Sequence, residues 1–163
     1  MLQIEIKTGR GFAIVAVAVA SLTLLHGCSG TSTPPQQKAV LVSKECWIDG
    51  INGDPATTVR LPPGDISIGG WAVDITSGTA PEIVTVQLLD AKGDSFVMQK
   101  SDKPISRLDV AQVKNQPAFE KSGFAVVING KGLLPGEYGL SLAMHRPGAD
   151  LVCPSSKRLV IKQ

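Results

Sequence analysis

The amino-acid sequence predicts an all-β protein built as a single β-sandwich of about seven or eight strands. Three observations carry this. From Lys38 onward, apolar and polar residues alternate over short runs. Gly, Pro, Asn and Asp separate those runs, and no stretch of useful length repeats at the helical period. The 163 residues have room for one domain of ordinary size once the N-terminal segment is set aside.

Taken in order, Ala39 to Val42 and Cys46 to Ile48 are the first expected strands, ended by the turn residues Asn52-Gly53-Asp54-Pro55. Leu61-Pro62-Pro63-Gly64 then precedes a strand from Ile66 to Val73. Its alternation meets Gly69-Gly70, a pair that marks a bulge or a close approach of backbones. Trp71, within this strand, reads as a filler between the sheets rather than a sugar-stacking platform. Glu82 to Asp90 and Ser95 to Lys100 flank Ala91-Lys92-Gly93-Asp94 and form a hairpin. Val84, Val86, Leu88, Phe96 and Met98 are expected in its core face, with Thr85 and Gln87 toward solvent. Residues 101–122 lack period-2 alternation and read as a long connection. A helical turn is expected there at Leu108 to Val113, capped by Ser106 or the neighbours of Arg107; ordered connections of this length are where binding residues tend to sit. Gly123 to Ile128, Glu137 to Met144, Leu151 to Cys153 and Lys157 to Lys162 complete the strands. The total falls in the range of an immunoglobulin-like sandwich.

Charge excludes one class of partner. The formal net charge is +2, and without Lys7, Arg10 and Glu5 the chain holds 14 basic against 13 acidic residues and no basic run. Such a domain has no electrostatic footprint for nucleic acid.

The N-terminal segment is of a different kind. Lys7 and Arg10 precede an uncharged run of 14 residues, Phe12 to Leu25, rich in Ala, Val and Leu. A membrane-spanning helix needs about 20 apolar residues, whereas the apolar part of an export signal runs about 7 to 15, so a cleaved signal is favoured over an uncleaved anchor. The run ends in Leu25-His26-Gly27-Cys28. These four residues resemble the lipobox of bacterial lipoprotein signal peptides, in which an aliphatic, a variable and a small residue precede the cysteine that becomes the new N-terminus. The resemblance implies that Cys28 is the lipidation site, carrying a diacylglyceryl thioether and an N-acyl group. One acyl chain binds a membrane marginally, and each buried methylene adds about 0.8 kcal/mol, so several chains hold firmly. Residues 28–37, Ser29-Gly30-Thr31-Ser32-Thr33-Pro34-Pro35 and two glutamines after Cys28, read as a flexible tether. The expected organisation is therefore a signal peptide at 1–27, a lipidated tether at 28–37 and a sandwich domain at 38–163. By the same resemblance, Ser29 after the cysteine directs the product to the outer membrane of the cell envelope, facing the periplasm or the surface.

Export places the other two cysteines where disulfides persist, and an isolated pair near the two ends of a domain reads as a staple, Cys46 to Cys153. No metal and no cofactor is expected: beyond position 28, His145 is the sole histidine beside these cysteines, and the close ligand spacing of a structural zinc site is missing.

A second likeness spans about residues 65 to 144. Gly70-Trp71-Ala72-Val73-Asp74, Val84-Thr85-Val86-Gln87-Leu88, Arg107-Leu108-Asp109-Val110-Ala111, Ser122-Gly123-Phe124 and Leu134-Pro135-Gly136-Glu137-Tyr138 follow one another. The succession resembles an Ig-like module of bacterial cell-surface and glycan-related proteins, with Leu108 in place of the proline usual in the third element. The resemblance supports the fold and implies no fixed chemistry. Arg107 and Asp109 are its candidate polar residues. Pinning the long connection through a charge-assisted hydrogen bond is the reading preferred over ligand contact.

No catalytic residues are expected. His145 lies in the turn-like His145-Arg146-Pro147-Gly148, no Gly-x-Ser-x-Gly elbow or His-Glu-x-x-His helix is present, and pairs such as Glu45 with Asp49 or Asp90 with Asp94 flank turns. The sequence therefore favours a non-enzymatic, lipid-anchored module that binds an envelope protein or glycan. A structural or assembly subunit of an envelope complex is the alternative, and a hydrolase has the least support.

Overall fold

Alternation along the chain is realised as two packed sheets. The computed structural model describes residues 38–101 and 103–163, so the signal segment, Cys28 and the tether expected at 1–37 lie outside the described residues. The strands are β1 (Ala39–Val42), β2 (Cys46–Ile51), β3 (Thr58–Leu61), β4 (Asp65–Ala72), β5 (Val84–Leu89), β6 (Ser95–Ser101), β7 (Gly123–Asn129), β8 (Gly136–Arg146) and β9 (Ala149–Ile161); one helix, α1 (Leu108–Val113), precedes β7. The larger sheet has the order β1-β9-β8-β5-β6 with β3 also on β9, and the smaller is β2-β4-β7. This is an all-β sandwich with nine strands among the described residues, more than the seven or eight expected.

β3 is a strand that none of the expected segments covers. It carries one buried side chain, Val59, and lies parallel to the end of β9, so it leaves little alternation to read. Conversely, the two segments expected at 151–153 and 157–162 form one strand. Pro154 separates them in the sequence, and in the structure it occupies a slip of the β8–β9 ladder between the pairs Ser141–Pro154 and Gly139–Arg158. Proline cannot donate to a ladder, and a bulge is where a strand tolerates it. β1 runs parallel to the first part of β9 and β3 to its last part, so one strand guides both.

Inward residues of the smaller sheet, including Ile48, Ile66, Ile68, Phe124 and Ile128, meet Val86, Leu88, Leu140, Leu142 and Leu159 of the larger. Each such side chain contributes about 1.5–3 kcal/mol on leaving water. The hairpin departs from expectation. Phe96 and Met98 are 47% and 65% exposed, and Val97 packs on the core instead. The register pairs Leu88 with Val97 and Val86 with Gln99, and slips between Leu88 and Leu89 opposite Ser95. A one-residue shift exchanges the two faces of a strand. Phe96 instead lies against Tyr138, with ring centroids 5.2 Å apart. Thr85 points away from the core as expected, yet it is buried.

Trp71 is also differently placed. Ile66, Ile68, Gly70 and Ala72 form the inward set of β4, so Trp71 projects from the outer face. There it packs on a second cluster of Val73, Val110, Ala111 and Phe119. Gly70 confirms the close approach read from the glycine pair: a Cβ on it would sit 2.0 Å from the Trp47 carbonyl oxygen.

Two interactions tie distant segments. Cys46 and Cys153 form the expected disulfide, with Cα atoms 6.4 Å apart, joining β2 of the smaller sheet to β9 of the larger. Buried Lys157 donates its ammonium to the carbonyl oxygens of Pro55 and Ala56, the latter at 2.9 Å, fixing the segment before β3. At the same end of the larger sheet, where Tyr138 pairs with Leu159, the Tyr138 hydroxyl donates to the Leu134 carbonyl oxygen at 2.6 Å, a tyrosine-corner contact that closes the Leu-Pro-Gly-Glu-Tyr turn.

Replacing both Cys46 and Cys153 by Ser removes a cross-link between residues 107 apart. Urea unfolding is expected to show a loss of about 4 to 5 kcal/mol, and equal midpoints for the two proteins would refute a stabilising role. Lys157→Ala is expected to cost about 2 kcal/mol in the same assay, because the buried ammonium's hydrogen bonds to the Pro55 and Ala56 carbonyl oxygens are lost.

Candidate functional site

The outer face of the β2-β4-β7 sheet gathers the polar and aromatic residues of interest. Inward Cys46 and Ile48 leave Trp47 projecting outward, and its side chain is 52% exposed. Trp47 pairs in register with Trp71, and Trp71 with Gly123, so one row crosses all three strands. Asp49 is the additional residue of a bulge, since Ile48 pairs with Gly70 and Gly50 with Gly69. Bulges re-aim side chains. Here the carboxylate is turned to the same outer face as Trp47.

The connection between β6 and β7 supplies the other half. Ile105 and Gly123 exchange two backbone hydrogen bonds at 2.9 and 3.0 Å, and the Arg107 amide donates to the Glu120 carbonyl oxygen at 2.6 Å. Helix α1 follows with the expected bounds but without the expected cap: Arg107 holds the N-cap position with no side-chain hydrogen bond, and the Ser106 hydroxyl bonds Glu120 instead. The helix ends in a Schellman arrangement. The Gln116 amide reaches the Ala111 carbonyl oxygen, the Asn115 amide that of Gln112, and Asn115 takes a φ of 48°.

Arg107 Nε and Nη2 donate to the two carboxylate oxygens of Asp109 at 2.9 and 2.7 Å, and Nη1 donates to Asp49 Oδ2 at 2.7 Å. The stem of Arg107 lies over Gly123, where a Cβ would come within 2.8 Å of Cγ. Its guanidinium thus reaches from above β7 across β4 to β2. Beside it, Lys114 pairs with Glu45, and its ammonium lies 5.7 Å from the Trp71 ring centroid. A depression of about 450 Å³ opens next to these groups, bordered by Asp49, Ser67 and Arg107 and floored by Gly69, Gly70 and Ala125. A second one, of about 330 Å³, adjoins the disulfide on the other side of Trp47, between Ser43, Lys44 and Pro154.

The electrostatics follow the contacts. The Arg107 hydrogen bonds lower the Asp109 carboxyl to about 2, and the Asp109 hydrogen bond raises Arg107 above its ordinary value. Elsewhere, burial alone would raise the Asp74 carboxyl, but the amides of Thr76 and Ser77 together with Arg146 hold it below the usual range.

His145 does not join Arg107. It borders another depression with Asp74, Ser77 and Arg146, and its Nδ1 is 2.7 Å from Asp150 Oδ1. Of the hydroxyls that line it, that of Ser77 bonds the Asp74 carbonyl oxygen and Thr79. Among the described residues no group of three His, Cys, Asp or Glu side chains is arranged to hold a metal ion. Sequence reasoning missed Trp47 and the direction of Asp49. Strict alternation from Cys46 and Ile48 was the signal for the first; an added bulge residue leaves no such mark for the second.

No family model matches the chain, and no curated protein does. Among solved structures, it is similar to the reeler domain of human F-spondin at 12% identity and a TM-score of 0.42, covering 78% of this chain and 96% of that one. It is also similar to a structure of the CBM51-2 and INT domains of ZmpB from Clostridium perfringens, at 14% identity and a TM-score of 0.36. That alignment covers 76% of this chain and spans 20% of the other.

The depressed Asp109 carboxyl sets a pH dependence. A carboxyl lowered from 3.8 to about 2 on folding contributes stability that is complete above pH 3.8 and is lost as pH falls through about 2. Carboxyl NMR titration is expected to place the Asp109 midpoint near 2 and to show the signals of residues 105–120 moving with it. A midpoint at the ordinary aspartate value would remove the Arg107 contact from solution.

Proposed function

We propose that the chain is a non-enzymatic lipoprotein of the bacterial cell envelope, tethered through Cys28, whose β-sandwich binds an envelope protein or glycan. The observation that carries the binding reading is the outer face of the smaller sheet. A half-exposed tryptophan stands there over a depression against the disulfide, and two residues along β2 a carboxylate–guanidinium–carboxylate chain borders a depression of its own. Such an arrangement offers an apolar surface and oriented donors and acceptors, the make-up of a recognition surface. In this reading Cys28 supplies membrane affinity, the ten residues 28–37 span at most about 36 Å when extended, and the domain works within that reach.

Mass spectrometry of the protein purified from membranes is expected to find an acylated Cys28 at the mature N-terminus; an unmodified protein beginning at Met1 would overturn the anchoring. Cross-linking in native membranes is expected to capture one envelope component reproducibly, and its absence would overturn the binding role.

A further inference from the structure

Resting on the binding role proposed above, we infer that the Trp47 face of the smaller sheet is a site for a neutral, hydroxyl-rich oligosaccharide. The argument begins with exposure. A tryptophan at a sheet position normally finds cover, and the neighbour of Trp47 in the register does: Trp71 is packed under Val110, Ala111 and Phe119. Trp47 is left with half its surface in water, a flat apolar ring against which the C–H face of a pyranose can stack.

What stands next to the ring selects the ligand. Trp47 and Asp49 share the outer face of β2, close enough for adjacent sugar units to meet one each. The Asp49 and Asp109 side chains are 51% and 63% exposed while bonded to Arg107, so their outward lone pairs remain open to hydroxyl donors. Arg107 uses three of its five N–H groups on these carboxylates and retains two for sugar oxygens. The floor of Gly69, Gly70 and Ala125 carries nothing larger than one methyl group, so a ring can come close to the backbone.

Charge decides between neutral and acidic glycans. Arg107 and Lys114 are paired with Asp49, Asp109 and Glu45, and with Lys44 beside Trp47 the face holds three cations against three carboxylates. An acidic sugar would gain no net attraction, whereas a neutral one meets groups preset for hydroxyls. A protein partner is less well served, since a stable interface buries about 800 Å² per partner and this face offers a compact platform beside a shallow, glycine-floored depression.

Both tryptophans of the chain lie in this one row, so intrinsic emission of the full-length protein in detergent reports on it directly. Hexamers of N-acetylglucosamine, glucose (β-1,4 and α-1,4) and mannose serve as neutral probes, and hexagalacturonate as the acidic one. At least one neutral hexamer is expected to shift the emission with saturation and hexagalacturonate none. Trp47→Ala is expected to weaken the neutral binding at least tenfold, by calorimetry, with an unchanged melting temperature, and Trp47→Phe to restore part of it. Silence across the neutral panel, stronger binding of the acidic probe, or undiminished affinity in a folded Trp47→Ala variant would each overturn the site. Cross-linking in native membranes separates this failure from that of the broader reading. A component captured equally by wild type and Trp47→Ala overturns the Trp47 site and keeps the binding role, whereas no captured component overturns both.

Discussion

The covalent link between Cys46 and Cys153 is the constraint on which the arrangement depends. A sandwich of two sheets is held by apolar contact across its interior, and such contact is non-directional. The disulfide fixes which point of β2 faces which point of β9, and thereby sets the position of everything that follows Cys46 on β2. Trp47 is the next residue and Asp49 lies two beyond it, so the outer face of the smaller sheet inherits its geometry from the cross-link. Ile48, between them, is anchored in the core.

On the opposite side of that face, geometry comes from missing atoms. Gly123 lets Arg107 lie flat over β7, and Gly70 lets the β2 backbone close on β4. A side chain at either position would push apart the parts that the Arg107 bridge connects. The Ser-Gly-Phe and Gly-Trp-Ala elements of the sequence are therefore steric requirements of a single clasp across three strands. Asp49 and Asp109 flank the single guanidinium, so the clasp itself carries one negative charge in excess.

Much of the fold was legible because its strands obey a simple period. β5, β7 and β8 alternate over six residues or more, and Val84, Val86 and Leu88 of β5 face inward as expected from sequence. Where the reading failed, a local irregularity outweighed the period. The slip opposite Ser95 exchanged the faces of β6, β3 was too short and too exposed to signal itself, and the bulge at Pro154 looked like a break between strands. Trp71 is the instructive case. The alternation of Ile66 and Ile68 already pointed it outward, and the general preference of tryptophan for interiors was given more weight than the register of its own strand. It does find an interior, but one made by α1 on the outer face. The candidate site was less legible. Its residues come from β2 and from the connection before β7, and their meeting depends on a bulge and on a side chain crossing a sheet. Neither leaves a period in the sequence.

The position of the disulfide also has a mechanical meaning. β1 is the first strand of the domain and is joined to β9 alone, in parallel, while Cys46 begins β2 four residues after β1 ends. A pull applied at the N-terminal end of the domain can peel β1, but at Cys46 it meets a covalent bond into the middle of the larger sheet. Tension between that end and anything held at Trp47 would then run through a single peptide bond beyond the cross-link. The rest of the sandwich lies off the load path, and its folding need not withstand the force.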